Sequence, residues 1–162
     1  MQAGSPPIAA AVPHGSSLSL VWEFARAERA GDPYAFCFAP QEYLLRSAGG
    51  GFESAQLAWS ESLLADLAAL RRPERDPALL ARLGEFLRGF LSPLGWAQHE
   101  PKILEACGRG ERVVVTLRSA AAELYALPWE LLTLKATGQH LGELPSLILR
   151  YEWPETATAA EN

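Results

Sequence analysis

Residues 112–134, "RVVVTLRSAAAELYALPWELLTL", decide the fold. The stretch opens on Val113, Val114 and Val115, followed by Leu117. Apolar on both sides, this reads as an inner strand of a sheet. It closes on a Pro-Trp-Glu junction, in which Leu127 precedes a proline and is pushed toward extended geometry. Pro128 then fits the first position of a helix, where its missing N–H costs nothing. Trp129 adds a large apolar surface, and Glu130 falls in the first turn, where the helix dipole favours a carboxylate. Leu131 and Leu132 extend the buried face. The junction therefore predicts a strand-to-helix corner with an indole wedged into it.

Upstream, "SLSLVWEF" at 17–24 alternates with period two. Leu18, Leu20, Trp22 and Phe24 point one way; Ser19, Val21 and Glu23 point the other. The polar turn "AERAGDP" follows, and then "YAFCFAP", with Tyr34, Phe36 and Phe38 on one face. Together these predict an antiparallel hairpin with an aromatic face that needs a cover. "SAGGG" at 47–51 reads as a hinge-like breaker. Leu57, Leu63, Leu64, Leu67 and Leu70 then predict a helix of about four turns, ended by Arg71, Arg72 and Pro73. Asp76 is a natural N-cap with Pro77 in the first helical position. The stripe Leu79, Leu80, Leu83, Phe86, Leu87, Phe90 and Leu91 predicts a second helix, lying antiparallel to the first on the sheet. A short helix "EPKILEAC" runs into Gly108, and "PSLILRYEW" at 145–153 reads as a further inner strand.

The expected class is α/β, with α+β as the alternative. It comprises an N-terminal β-hairpin, an antiparallel helix pair, and a strand–helix–strand unit completing a small mixed sheet. A single domain over 17–153 is expected, between flexible tails at 1–16 and 154–162. With 162 residues, 49% of them hydrophobic, and five Trp and six Phe, the chain can bury the core of one domain. The 14 basic residues against 19 acidic ones give a net charge of −5, and the two signs are interspersed. That argues against nucleic acid or an anionic membrane as partner. No run reaches the length of a membrane span, and the N-terminus lacks a basic n-region. Two unlike, distant cysteines suggest no disulfide framework, so a reducing cytoplasm is expected.

The segments "VVVTLRSAAAELYALPWELLTL", "GQHLGEL" and "LILRYEW" resemble the front of a CHAT domain, from the caspase- and separase-related family found fused to other modules in bacterial signalling and defence proteins. Leu124, Leu127, Pro128, Trp129, Glu130, Leu131, Leu132, Leu141 and Arg150 match its pattern of an apolar strand, an "LxxLPWELL" corner and a strand ending in an Arg-aromatic pair. The likeness covers roughly residues 53 to 152. The family's catalytic His and Cys lie well downstream of that corner. The resemblance therefore implies a non-catalytic N-terminal regulatory or scaffold half, partnered by a protease-like half in the same or another chain. A stand-alone interaction adaptor or protease inhibitor sharing the fold is the alternative reading.

A small cysteine peptidase ranks last. "EACGRG" around Cys107 is similar to the caspase Q-A-C-x-G pattern, but Arg109 stands where that pattern wants Gly. His14 sits in a tail, Cys37 lies among aromatics, and Cys107 reads as a small hydrophobe at a helix end. His99 reads as a cap or a solvated side chain, and His140 lies in a loop. No His and Cys show metal-ligand spacing, and "SAGGGFES" lacks the Lys-Ser/Thr of a phosphate loop. No catalytic, cofactor-binding or metal-binding residue is expected. The expected structural contact is an ion pair between Glu130 and Arg150, the odd charge on an apolar strand.

Overall fold

The computed structural model describes residues 17–28, 31–32, 35–46 and 51–154. The tail at 1–16 with His14, Tyr34, residues 47–50 of the breaker, and the tail beyond Pro154 lie outside these residues. Among the described residues the chain is α/β. Five strands, β1 (Ser17–Arg26), β2 (Gln41–Arg46), β3 (Phe52–Leu57), β4 (Arg112–Ser119) and β5 (Leu147–Glu152), form one sheet in the order β3-β2-β1-β4-β5. β1, β4 and β5 run parallel, while β2 is antiparallel to β1 and to β3. The helices are α1 (Glu61–Ala69), α2 (Pro77–Leu91) and α3 (Trp96–Gly108).

The alternation in β1 sets the layers. Trp22 and Phe24 are buried and Leu18 and Leu20 pack on the core, while Ser19 and Val21 are exposed. Val113, Val115 and Leu117 of β4 continue the buried face. α3 packs over β1 and β4, and α2 reaches β3. As its sequence predicts, α2 begins on Asp76, whose carboxylate accepts from the Ala78 N–H at 3.0 Å, with Pro77 in the first helical position. Leu79, Leu83, Leu87, Phe90 and Leu91 are buried along it.

Several elements differ from the sequence expectation; β5, expected as an inner strand, lies at the edge of the sheet and pairs with β4 alone. The hairpin partner of β1 is β2, not the aromatic run at 34–38: Tyr43 and Leu45 take the buried face, and Phe36 and Phe38 are exposed. Leu57 belongs to β3, because Ala55 and Leu57 alternate with exposed Ser54 and Gln56. The chain then turns at Trp59, whose φ of 50° is rare for a bulky residue, and α1 starts on Ser60, which accepts from Leu63 N–H at 3.2 Å. α3 starts before the predicted Glu100, just after left-handed Gly95, and takes Pro101 into its first half.

Between β4 and β5 no α-helix forms. Three single 3₁₀ turns, Ala122–Ala126, Trp129–Leu131 and Leu141–Glu143, replace it. Residues 131–134 are all buried, so a helix here would have no polar face for solvent. Instead the segment runs extended beneath α2. Thr133 N–H donates to Gly84 O at 3.3 Å, and Leu141 N–H donates to Leu132 O at 2.8 Å.

Candidate functional site

Strand order reverses direction at β1: the chain steps to β2 on one side, and β4 lies on the other. The carboxyl ends of β1 and β4 are where an open α/β sheet offers a crevice. Arg26 ends β1 and Ser119 ends β4. The Ser119 hydroxyl donates to Phe24 O at 2.9 Å and accepts from Ala121 N–H at 2.9 Å. This starts the turn that carries Glu123 to the Arg26 guanidinium.

Glu123 is fully buried. Its carboxylate accepts from Arg26 Nε at 3.1 Å and Nη2 at 2.6 Å. It also accepts from Tyr43 Oη at 2.7 Å, Gln41 Nε2 at 3.0 Å and Cys37 N–H at 3.4 Å. Trp59 Nε1 in turn donates to Tyr43 Oη at 2.9 Å, and Arg26 Nη2 donates to Ala35 O at 2.7 Å. Burial alone would raise the Glu123 carboxyl, but the hydrogen bonds from Arg26 and Tyr43 outweigh it and hold the group below the usual carboxylate range. Burial, reinforced by the bond to Glu123, pushes the Tyr43 phenol far up, so it stays a donor. Every acceptor direction of the carboxylate is taken. The cluster is thus a clamp that fixes residues 35–43 across the end of the sheet, rather than a free acid or base.

The Pro-Trp-Glu corner lies beside this clamp. Trp129 is fully buried, as the sequence predicts; its Nε1 donates to Leu124 O at 2.8 Å, and its ring stacks on Phe24 with centroids 5.8 Å apart. Leu124, Leu127, Pro128, Leu131 and Leu132 are buried around it. The expected Glu130–Arg150 pair does not form. Glu130 is exposed, and Arg150 pairs with Glu152 two residues along its own strand. The reason is strand parity: on β5, Leu147 and Leu149 pack on the core, so Arg150 faces the opposite side of the sheet. The buried ion pair exists, but its members are Arg26 and Glu123. The one sequence signal for it is that Glu123 is the lone charge between Arg118 and Glu130.

Cys37 and Cys107 are half-buried free thiols, and Cys107 packs on the core as the sequence suggests. No hydrogen bond joins a thiol to an imidazole among the described residues. His140 Nδ1 lies 2.6 Å from Leu131 O, and the His140 N–H donates to Glu143. Half-buried His99 is held below its ordinary value by burial and then by Lys102. Among the described residues no cluster of His, Cys, Asp and Glu could hold a metal ion, and no helix is long and apolar enough to cross a membrane. Comparison with known proteins gives no matching family model, no matching curated protein and no matching solved structure. Fold and site together define an α/β module with a clamped strand end.

Proposed function

We propose that this chain acts as a non-catalytic regulatory or scaffold module, the N-terminal half of a CHAT-type caspase-like protein, which docks to a protease-like half in cis or in trans. Its setting would be bacterial signalling or defence in the cytoplasm. One observation carries this reading. Parallel strands are ordinarily covered on both faces, yet α3, which packs on the parallel strands β1 and β4, lies on the face that carries Trp22, its Trp96 ring meeting Trp22 edge-on. On the other, Val21 and Ile148 are each 47% exposed. β5 is also a free parallel edge among the described strands, open to a further strand. The CHAT part of the reading rests on the "LPWELL" motif of residues 127–132.

The test uses the whole chain with an apolar fluorescent dye and light scattering. An uncovered sheet face should bind the dye or self-associate, and Val21→Lys/Ile148→Lys should suppress both. A dye-silent monomer would sink the docking proposal. Hydrolysis of a peptide library by this chain, lost on Cys107→Ala, would sink its non-catalytic part. The alternative, a self-contained interaction adaptor or protease inhibitor, draws on one feature of the same face. Arg118 bridges Glu152 at 2.7 Å and Glu23 at 3.9 Å, a charge row across three strands that tolerates water.

A further inference from the structure

A second surface, on the helix side of the sheet, has a different character. Leu64 and Leu67 of α1, and Leu70 just beyond its C-terminus, are only half-buried. They line an open groove of about 530 Å³, together with Leu127 of the Pro-Trp-Glu turn, Tyr151 of β5 and Phe38. The apolar surface continues past the groove itself. Phe36, 62% exposed, stacks on Phe38 at 5.9 Å, and Trp153 packs on Tyr125, another groove residue, at 5.4 Å. An exposed aromatic and aliphatic strip of this continuity marks an interaction site.

Charge identifies the occupant. Arg71 and Arg75 line the same groove and are exposed. Elsewhere, Arg82, Arg88, Arg109, Arg118 and Arg150 each hold a carboxylate of this chain. Arg71 and Arg75, like Arg46, Arg72 and Arg112, hold none among the described residues, but only Arg71 and Arg75 of these line the groove, although the chain as a whole is acidic. Among the described residues Glu130 is the one carboxylate lining the groove, so the favourable charge lies on the arginine side. An open slot with apolar surface running on beyond it suits a linear ligand better than a compact one.

We propose that this groove docks an extended peptide segment of another protein, one that presents leucine or phenylalanine side chains to Leu64, Leu67 and Phe38 and carboxylates to Arg71 and Arg75. The site is separate from the open sheet face, so it stands or falls independently of the proposed protease half.

The experiment is fluorescence anisotropy of the whole chain with two labelled decapeptides. One carries two leucines, a phenylalanine and two glutamates; its twin carries lysines in place of the glutamates. The acidic peptide should bind at least about tenfold more tightly than the lysine twin. Arg71→Glu/Arg75→Glu should erase or invert that preference, since two exposed attractions become two repulsions. Phe36→Ser, at an exposed position, should weaken binding of the acidic peptide by roughly threefold or more. Equal binding of the twins, no binding of either, or a preference that survives charge reversal would overturn the proposal. So would a concentration-dependent dimer broken by Phe36→Ser, because the groove would then belong to a second copy of the chain.

Discussion

Glu123 shows what a single buried carboxylate does in this fold. It ties together Arg26, Cys37, Gln41 and Tyr43, which lie 97, 86, 82 and 80 residues away in sequence. Glu123→Gln keeps the shape but removes the negative charge that Glu123 sets against the Arg26 guanidinium, whose side chain is 8% exposed. The expected loss is about 3 kcal/mol in urea denaturation, the size of breaking one partner out of a buried pair. The pH dependence has a definite sign. The folded carboxyl titrates below the unfolded value of about 4.3, so its stabilisation is complete above that pH and is lost as pH falls through the folded value. The stability gap between wild type and Glu123→Gln should therefore be constant near neutrality and shrink in acid; a gap that widened in acid would contradict the clamp. A smaller cost, about 1–2 kcal/mol, is expected for Tyr43→Phe, which removes one donor to Glu123 and leaves the Trp59 indole N–H without its acceptor. At this scale the sequence was half legible. Trp129 is read correctly from size and the preceding proline, but nothing local in "AAAELYA" names Arg26 as the partner of Glu123. The sequence shows that an acid sits in an apolar run; only the fold shows what neutralises it.

Elements were legible where one periodicity ruled and the ends were marked. β1 alternates over its whole length, and α2 carries an Asp-Pro start and a wide apolar stripe, so both were readable. β2 and β3 each bury only two side chains, Tyr43 and Leu45, Ala55 and Leu57, and neither run stands out beside the louder aromatics at 34–38. The Pro-Trp-Glu turn failed as a helix start because tertiary packing overrode a good local signal. Its neighbour in that packing, Gly84, makes the point testable. A β-carbon added there would lie 2.1 Å from Thr133 Oγ1 and 2.4 Å from the Leu131 carbonyl oxygen. Alanine at an ordinary helix position gains about 1 kcal/mol over glycine. Here the backbone of the turn must move instead, so Gly84→Ala should destabilise by about 1–3 kcal/mol despite the better helix propensity. Gly89 on the same helix has nothing within 4 Å of an added β-carbon, so Gly89→Ala should be neutral or stabilising. Thermal melts of the two variants shifting in the same direction would show that α2 does not press on the turn.

Across the whole molecule, the parallel ribbon β1-β4-β5 is unequal from side to side and from centre to edge. β4 pairs on both sides and buries Val113, Val115, Thr116 and Leu117, while β5 pairs on one side and leaves Ile148, Arg150 and Tyr151 exposed. The far end of β5 is tied in by Tyr125, whose hydroxyl lies between the carbonyl oxygens of Ser119 and Glu152. This gradient predicts the pattern of amide hydrogen exchange. The inner amides of β4 should exchange only through global unfolding, and those of β5 faster, through local opening of an edge held by one ladder and one tyrosine. Tyr125→Phe should speed β5 further and leave β4 unchanged relative to global stability. The same measurement reads function, because anything that adds a strand to β5 or covers Val21 and Ile148 must slow β5 selectively. Protection of β5 equal to that of β4 in the isolated chain would mean that the edge is already covered, and the proposal of a docking half would lose its physical basis.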